Sequence, residues 1–289
     1  MSGPARSYPA LEPGVWRLLL RTEWFKARRR LAFLVTLALF AFINLMDHGG
    51  EYMRARRDPE FTYALPGAWQ GIFADDSIVL LIFASIAVIM LVSSEFSWRT
   101  ARQNVIDGLS KEQWYWGKVL LVVLVGVLFV ATKLLIGGGM AALGTDFGVV
   151  GGTAFPLSAL TASLGLLLAY LSVAGLALFV AVTIRSSGPA MAVWFFWITL
   201  GEQLLPALVS RVLPATQPAF TYLPFSAAQK LLDFWVFDTA AYTRLVARAQ
   251  EAEQAVPELP NLLLWLGVNA GWAVVFVVVG YVLFRRRDL

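Results

Sequence analysis

Residues 77–94 read SIVLLIFASIAVIMLVSS, and residues 95–118, which follow directly, read EFSWRTARQNVIDGLSKEQWYWGK. The first stretch is mostly apolar and close to the length, about 20 residues, that a helix needs to cross the hydrocarbon core of a bilayer. The second stretch is polar and basic, and an apolar run resumes after Lys118. A span, a charged joint and a new span form the pattern of a chain that crosses a membrane repeatedly.

The composition of the whole chain agrees with this pattern. Of its 289 residues, 58% are apolar and only 15% are charged, and the mean hydropathy is +0.68. Soluble domains carry about 25% charged residues, so we exclude a soluble enzyme, a disordered chain and a fibrous repeat. The absence of cysteine excludes disulfides and thiolate chemistry.

Six apolar segments are long enough, or nearly long enough, to span a bilayer, and together they predict an all-α integral membrane protein with one transmembrane domain over residues 1–289. The first is short and can borrow residues from its flanks. Pro206 should kink or end the fifth span near its outer face, because proline interrupts the helical hydrogen-bond ladder. The predicted spans are Leu31–Met46, Ser77–Ser94, Lys118–Leu143, Leu157–Ile184, Ala190–Ser210 and Asn261–Phe284.

The distribution of basic residues predicts the orientation of the chain. The net charge is +4, and the joints on the side of both termini carry about twice as many Lys and Arg residues as the joints opposite. Both termini are therefore expected in the cytoplasm, and the first span reads as an uncleaved anchor. Because the basic residues cluster beside spans, we expect the chain to contact membrane lipids and not nucleic acid.

Two polar joints have helical patterns of their own. Residues 13–29 predict an amphipathic helix on the cytoplasmic surface, with Trp16 and Trp24 at headgroup level, although a plain basic flank of the first span is the alternative. The external joint 211–260 predicts two helices, Phe225–Trp235 and Asp238–Ala255.

The joint at residues 95–118 predicts a short helix over Glu95–Asp107, a stop and a new helix. Gly108 can adopt the left-handed conformation that ends a helix, and Ser110 with Gln113 predicts a capping box at the start of span three. A helix this short is marginal alone, so either the lipid surface or a cytoplasmic partner should pack on it. An ordinary basic inner loop is the plainer interpretation.

The ordered residues of this joint resemble the signature region of type-2 ATP-binding-cassette (ABC) transporter permeases. In that family a Glu ends span two, a Thr follows, a turn carries Ser and a basic residue, and Gly-Lys opens span three. The chain departs from the family where Arg99 replaces a common Gly and Gly108 replaces a frequent Pro. The matching positions are Glu95, Thr100, Ser110-Lys111 and Gly117-Lys118, with a similar C-terminal end at Phe284–Asp288.

The resemblance implies a mechanism with several subunits. Residues 95–109 would form a coupling helix in a groove of a separate nucleotide-binding subunit, which would hold ATP and Mg²⁺ because this chain has no G-x-x-x-x-G-K-[ST] loop. A second permease, identical or homologous, would complete the transporter. The chain itself would be non-catalytic. It would lie in a plasma membrane, and we expect a bacterial one. Its substrate would be a lipid-like, peptide or amphipathic molecule, and the direction of transport would be export. The residues expected to contact the nucleotide-binding subunit are Glu95, Trp98, Arg99, Thr100, Arg102, Gln103, Asp107 and Gly108.

Polar residues inside the spans are the second group of candidates, since such residues usually face a bundle interior or a water-filled path. Lys133 and Glu202 lie at similar predicted depths and could form an ion pair, or could line the substrate path separately. A structural pair or snorkelling of each side chain to the outer surface is the plainer alternative. The group comprises Asn44, Lys133, Glu202, Gln203 and Asn269.

Two other classes of protein compete with the permease. An intramembrane enzyme is disfavoured because His48 is the only histidine and the spans carry no convergent set of catalytic groups. A secondary transporter or channel that uses Lys133 and Glu202 as an ion relay without ATP is the stronger alternative, although no inverted repeat is recognisable.

Overall fold

The computed structural model describes residues 13–74, 77–106, 108–150, 154–236, 246–250 and 261–287. Within these ranges all regular structure is helical, and six helices are long and apolar enough to cross a membrane. The prediction of an all-α membrane protein with six spans is therefore confirmed.

The helices are numbered here in chain order. Helix α9 continues into α10 through a π-helical turn at Trp197–Gly201, and a 3₁₀ helix at Pro214–Tyr222 precedes α11. Residues 246–250 are also helical. The bounds are α1 Pro13–Ala27, α2 Leu31–Arg57, α3 Ala68–Ala74, α4 Ser77–Ser97, α5 Thr100–Ile106, α6 Lys111–Leu143, α7 Phe147–Val150, α8 Leu157–Ile184, α9 Ser187–Phe196, α10 Glu202–Val212, α11 Pro224–Val236 and α12 Leu262–Arg286.

Several helices extend beyond the predicted spans. The first span was expected to end at Met46, but α2 continues to Arg57, and α6 begins at Lys111 instead of Lys118. Hydrophobicity marks the part of a helix that lies in the hydrocarbon, whereas the backbone hydrogen bonds continue into the polar region until a cap or turn stops them. The span Leu157–Ile184 has the predicted bounds.

Helix α8 lies at the centre of the bundle and packs against α4, α6, α11 and α12. A glycine on α6 makes room for a large side chain of α8. A Cβ atom at Gly126 would lie only 2.3 Å from the ring of Tyr170. The buried Tyr170 hydroxyl donates a hydrogen bond to the backbone oxygen of Val122 at 2.9 Å. Glycine at this position therefore fixes how closely α6 and α8 approach.

The fifth span does not end at Pro206: the helix contains Pro206 and runs on to Val212, and the irregular turn is a π turn that precedes it. Proline at position 206 cannot donate to the carbonyl of Glu202, and its ring crowds that carbonyl. The π turn at Trp197–Gly201 ends immediately before Glu202 and absorbs the mismatch, so the helix continues through α10 to Val212.

The two ends of the bundle differ in composition. We call the end that carries α1, α5 and the last turn of α12 the basic face, and the other end, which carries α3, the 3₁₀ helix and α11, the opposite face. The predicted helix Phe225–Trp235 is present as α11. Most of the predicted helix Asp238–Ala255 lies outside the described residues, although residues 246–250 are helical.

Candidate functional site

The turn between α4 and α5 divides the predicted coupling helix in two. Helix α4 continues through Ser97 and α5 begins only at Thr100, which corrects the prediction of one helix over residues 95–109. Arg99 has a φ of 57°, a left-handed conformation that a right-handed helix cannot contain. The Thr100 hydroxyl donates to the backbone oxygen of Glu95 at 3.2 Å and so satisfies one carbonyl left open at the end of α4.

The backbone of this turn bears on Arg99, which stands where the resembled permeases commonly have glycine. The permeases that the chain resembles commonly carry glycine at this position, and glycine adopts positive φ without the strain that a Cβ atom brings. Arg99 keeps the glycine-like backbone conformation with a charged side chain on it. The departure therefore changes the surface of the turn and leaves its geometry in place.

The second turn of the segment forms as predicted. Gly108 has a φ of 118°, which favours glycine, and it separates α5 from α6. The Ser110 hydroxyl accepts a hydrogen bond from the Gln113 backbone N–H at 3.0 Å, and the Gln113 side chain accepts one from the Ser110 N–H at 3.0 Å. This capping box starts α6 at Lys111. The predicted contact residue Asp107 lies outside the described residues.

Helix α5 presents most of its surface to the surroundings of the bundle. Ala101 is buried, whereas Arg102 and Gln103 are exposed, and Trp98 in the preceding turn is 67% exposed. The left-handed Arg99 lies between Trp98 and Ala101 and separates the exposed indole from the buried alanine. The guanidinium of Arg30 lies 4.8 Å from the centre of the Trp98 ring, so α5 offers a surface that combines aromatic and cationic groups.

Beneath α5 lies a cluster of four charged side chains, three of them buried and Lys26 partly exposed, which we call the charge cluster: Glu23, Lys26, Glu95 and Lys118. The Nζ atom of Lys118, which is fully buried, lies 2.6 Å from Glu23 Oε2 and 2.7 Å from Glu95 Oε1. Lys26 Nζ lies 3.2 Å from Glu23 and 3.3 Å from Glu95. Two carboxylates and two ammonium groups balance in formal charge, which is the condition for burying them together.

Other polar groups complete the environment of Glu95. The indole N–H of Trp114 donates to Glu95 Oε2 at 3.0 Å, and Asn104 of α5 makes a longer contact of 3.5 Å with the same oxygen. At the end of α4, the guanidinium of Arg30 donates a hydrogen bond to the Ser94 hydroxyl. Glu95 thus connects the end of α4 with α1, α5 and α6.

Aromatic side chains pack around the charge cluster and extend it to α12. Trp114 stacks on Phe284 with ring centres 5.0 Å apart, and it meets Phe96 edge-on at 5.2 Å. The ammonium of Lys118 lies 5.0 Å from the centre of the Trp114 ring. Phe284, at the C-terminal end of α12, therefore contacts the charge cluster through Trp114. This end of α12 also carried part of the family resemblance.

Sequence reasoning singled out Glu95 and Lys118 but missed Glu23. The sequence does contain an indication of its role, because Glu23 is the only acidic residue in the otherwise basic segment 13–29. An isolated acid among arginines and lysines on an interfacial helix indicates a specific partner, which here is the buried Lys118 of α6.

The structure places Glu202 against the start of α11. The Glu202 carboxylate accepts hydrogen bonds from the backbone N–H groups of Phe225 and Ser226, at 3.0 and 2.8 Å, and from the Ser226 hydroxyl at 3.0 Å. The indole N–H of Trp197 donates to it at 3.1 Å. Glu202 therefore caps the start of α11 and joins it to the π turn, and the hypothesised Lys133–Glu202 ion pair stays a prediction.

Lys133 and Asn44 are fully buried where α6 packs on α2. The Asn44 amide donates to the Phe40 backbone oxygen at 2.9 Å, and its own oxygen is buried without a hydrogen-bond partner in the described part of the chain. One turn further along α2, His48 Nδ1 lies 3.1 Å from the Tyr63 hydroxyl.

The remaining two polar candidates differ in environment. Asn269 is fully buried: it accepts a hydrogen bond from the Ser172 hydroxyl at 2.8 Å and donates to the backbone oxygens of Ala227 and Trp265 at 3.0 and 2.8 Å. Its hydrogen bonds join α8, α11 and α12, which indicates a packing role. Gln203 is exposed on α10.

A cavity of about 570 Å³ opens on the opposite face next to Glu202. It lies between the start of α4, α10, the 3₁₀ helix and α11, and Lys230 and Asp233 form an exposed ion pair of 3.5 Å at its rim. Its wall combines apolar side chains with hydroxyl, amide and charged groups, among them Ile78, Pro206, Phe220, Thr221, Ser226 and Gln229.

A bundle of six helices, each long and apolar enough to cross a bilayer, defines a multi-pass membrane protein. A family model described as ABC-2 family transporter protein matches residues 19–201, which is more than half of the chain and includes the charge cluster, α5 and the first four spans. The chain therefore belongs to the ABC-2 transporter family. It shows no significant match to an individual curated protein. Members of this family generally work with ABC ATPase partners.

Proposed function

We propose that this chain is the membrane-spanning permease subunit of an ATP-driven exporter. A separate nucleotide-binding subunit holds ATP and Mg²⁺ and docks on the basic face, which is cytoplasmic in a plasma membrane, and specifically a bacterial one. A second permease, either another copy of this chain or a homologue, completes the pair of halves that the mechanism requires.

One observation carries the proposal: the exposed helix α5 follows directly on the end of α4, where Glu95 is joined by ion pairs to α1 and α6. A force applied to Trp98 or Arg102 reaches α4 through the turn at Arg99, and from Glu95 it reaches α1 and α6 through Lys118. Because a buried ion pair with good geometry resists separation, these elements transmit displacement instead of absorbing it. This is the arrangement expected of a coupling helix.

The contact surface for the nucleotide-binding subunit consists of the exposed residues of α5 and its turns. Arg99 and Arg102 line a cavity of about 310 Å³ together with Phe96 and Ala101, which would receive a side chain of the partner. Glu95 is buried in the charge cluster, so its role is to position α5 and not to touch the partner. Of the predicted contact residues, Trp98, Arg99, Arg102 and Gln103 are exposed.

The substrate is a lipid-like, peptide or amphipathic molecule. The cavity on the opposite face supports this class, because its wall combines apolar groups with hydroxyl, amide and charged groups. The bundle also exposes many large apolar side chains along α2 and α9–α10, which supports lateral access from lipid or contact with the second permease. Export is the direction that the family relationship favours.

The test is to purify the full chain in mild detergent and identify the subunits that accompany it. We expect a separate ATPase, and we expect Arg102→Glu to reduce its recovery and the ATP-dependent transport of reconstituted vesicles severalfold. Arg56→Glu is the matched control, because Arg56 is an exposed arginine at the far end of α2, away from α5. Transport by the chain alone without ATP would overturn the proposal and favour a secondary transporter.

A further inference from the structure

We infer that a groove between α1 and α6 binds an anionic phospholipid, with its headgroup at two arginines and one acyl chain along α6. This inference does not depend on the proposed transport function. The groove has a volume of about 440 Å³ and is lined by Arg17, Leu20, Arg21, Trp24, Leu124 and Leu128.

The spacing of the lining residues makes the groove continuous. Four of them lie on one stripe of α1, at positions i, i+3, i+4 and i+7 from Arg17, and Leu124 and Leu128 are one turn apart on α6. The adjoining face of α1 is held on α6 by Glu23 and Lys118. The groove is therefore open towards the surroundings of the bundle, and the Glu23–Lys118 ion pair holds α1 against α6 behind it.

The arginines at the mouth of the groove supply charge that no described carboxylate neutralises. Among the described residues, neither Arg17 nor Arg21 takes part in an ion pair, and the nearby carboxylate of Glu23 is engaged by Lys26 and Lys118. Guanidinium groups bind phosphate oxygens in pairs, so two arginines one helical turn apart match a lipid phosphate. Trp24, which is 38% exposed, is suited to the headgroup region.

The depth of the groove distinguishes a lipid from a small anion. Leu124 and Leu128 are six and ten residues beyond Lys118, so they lie about 9 and 15 Å further along α6. Lys118 is level with α1, and the two leucines therefore stand in the hydrocarbon, where an acyl chain would cover them. A ligand that fits must carry an anionic end and an apolar end in this order.

The experiment compares lipid binding to the full chain, purified with the subunits that accompany it. Delipidated protein is titrated with phosphatidylglycerol or with phosphatidylcholine of the same acyl chains, and bound lipid is counted by native mass spectrometry. We expect a preference for phosphatidylglycerol that Arg17→Gln with Arg21→Gln weakens by roughly twenty- to thirtyfold. The double change Arg285→Gln with Arg286→Gln removes the same charge from exposed positions at the end of α12 and should keep the preference.

A second variant tests the acyl-chain end of the groove. Leu124→Trp fills the groove without changing its charge, and it should also weaken phosphatidylglycerol binding while the thermal unfolding temperature of the lipid-free protein stays near that of the wild type. Glycerol phosphate should not compete. Equal binding by wild type and the Arg17/Arg21 variant, equal loss in the Arg285/Arg286 control, or competition by glycerol phosphate would each overturn the inference.

Discussion

The ammonium group of Lys118 lies 2.6 Å from the carboxylate of Glu23, although 95 residues separate the two in the sequence. The same ammonium group also binds Glu95, so a single buried nitrogen connects α1, the end of α4 and the start of α6. Helix α1 is consequently part of the bundle and not only a strip of surface helix. Any movement of α5 should therefore reach the N-terminal helix as well as the spans.

Replacing Lys118 with Met should lower the free energy of unfolding by about 3–5 kcal/mol, because two carboxylates then remain buried without their main partner. The measurement is denaturant unfolding in detergent. Lys26→Met is the control, since Lys26 is partly exposed and its contacts with both carboxylates are longer; its effect should be clearly smaller. Adding Glu23→Gln to Lys118→Met should recover part of the loss. Equal effects of the two lysine changes would contradict this assignment.

Arg99→Gly should stabilise the turn between α4 and α5 relative to Arg99→Ala by about 1 kcal/mol, because only glycine adopts a φ of 57° without strain. Both changes remove the same charge, so their difference isolates the backbone. At Arg102, inside α5, the order should reverse, since glycine is the poorer helix former there. Hydrogen exchange of residues 95–106 measures both differences, and the same order at both positions would count against a left-handed Arg99.

Gly126→Ala should destabilise the bundle by about 1–3 kcal/mol, because the new Cβ atom would overlap the Tyr170 ring and force α6 and α8 apart. Gly139→Ala is the matched control on the same helix, where a Cβ atom meets nothing within 4 Å. It should be neutral or slightly stabilising, since alanine favours helix over glycine. Thermal unfolding of the two variants in one detergent makes the comparison, and similar melting temperatures would refute this packing.

Glu202→Gln should loosen α11 by about 0.5–2 kcal/mol, because the carboxylate caps the helix start through the Phe225 and Ser226 N–H groups. The readout is faster hydrogen exchange over residues 224–236. Asp233→Asn, on the exposed surface of the same helix, should leave that exchange rate nearly unchanged. If Asp233→Asn has the larger effect, the cap is not what holds α11.

Lys133→Ala and Glu202→Ala should have additive effects on stability, because the Glu202 carboxylate is engaged by Trp197 and by the start of α11. The double variant then loses the sum of the two single losses within about 0.5 kcal/mol. A coupling energy well above this value in a double-mutant cycle would support the Lys133–Glu202 ion pair that the sequence suggested.

The spans and their caps could be predicted from sequence because each depends on neighbouring residues. Ser110 and Gln113 form their capping box across a single turn, and the bounds Leu157–Ile184 follow from an unbroken apolar run. The end of α2 could not be predicted in this way. Its backbone ladder continues past Met46 into polar residues, where hydropathy no longer reports on the helix.

The candidate site was only partly predictable, because its defining contacts are long-range. Glu95 and Lys118 were identified from their place in a motif, but the partner Glu23 belongs to a helix far away in the chain. Depth along a span placed Lys133 and Glu202 at similar levels but could not give their directions. The N–H groups that attract Glu202 belong to α11, whose position depends on the whole opposite face.

The π turn at Trp197–Gly201 has a consequence for insertions and deletions in the fifth span. One surplus residue in a helix shifts the phase of everything beyond it by about 100° around the axis. A π turn takes up that residue in one wider turn, so deleting a single residue between 197 and 201 should restore an ordinary helix and leave Glu202 facing Phe225 and Ser226. A deletion within α9 would instead rotate Glu202 away from α11, so the length of this span is constrained outside the π turn and tolerant within it.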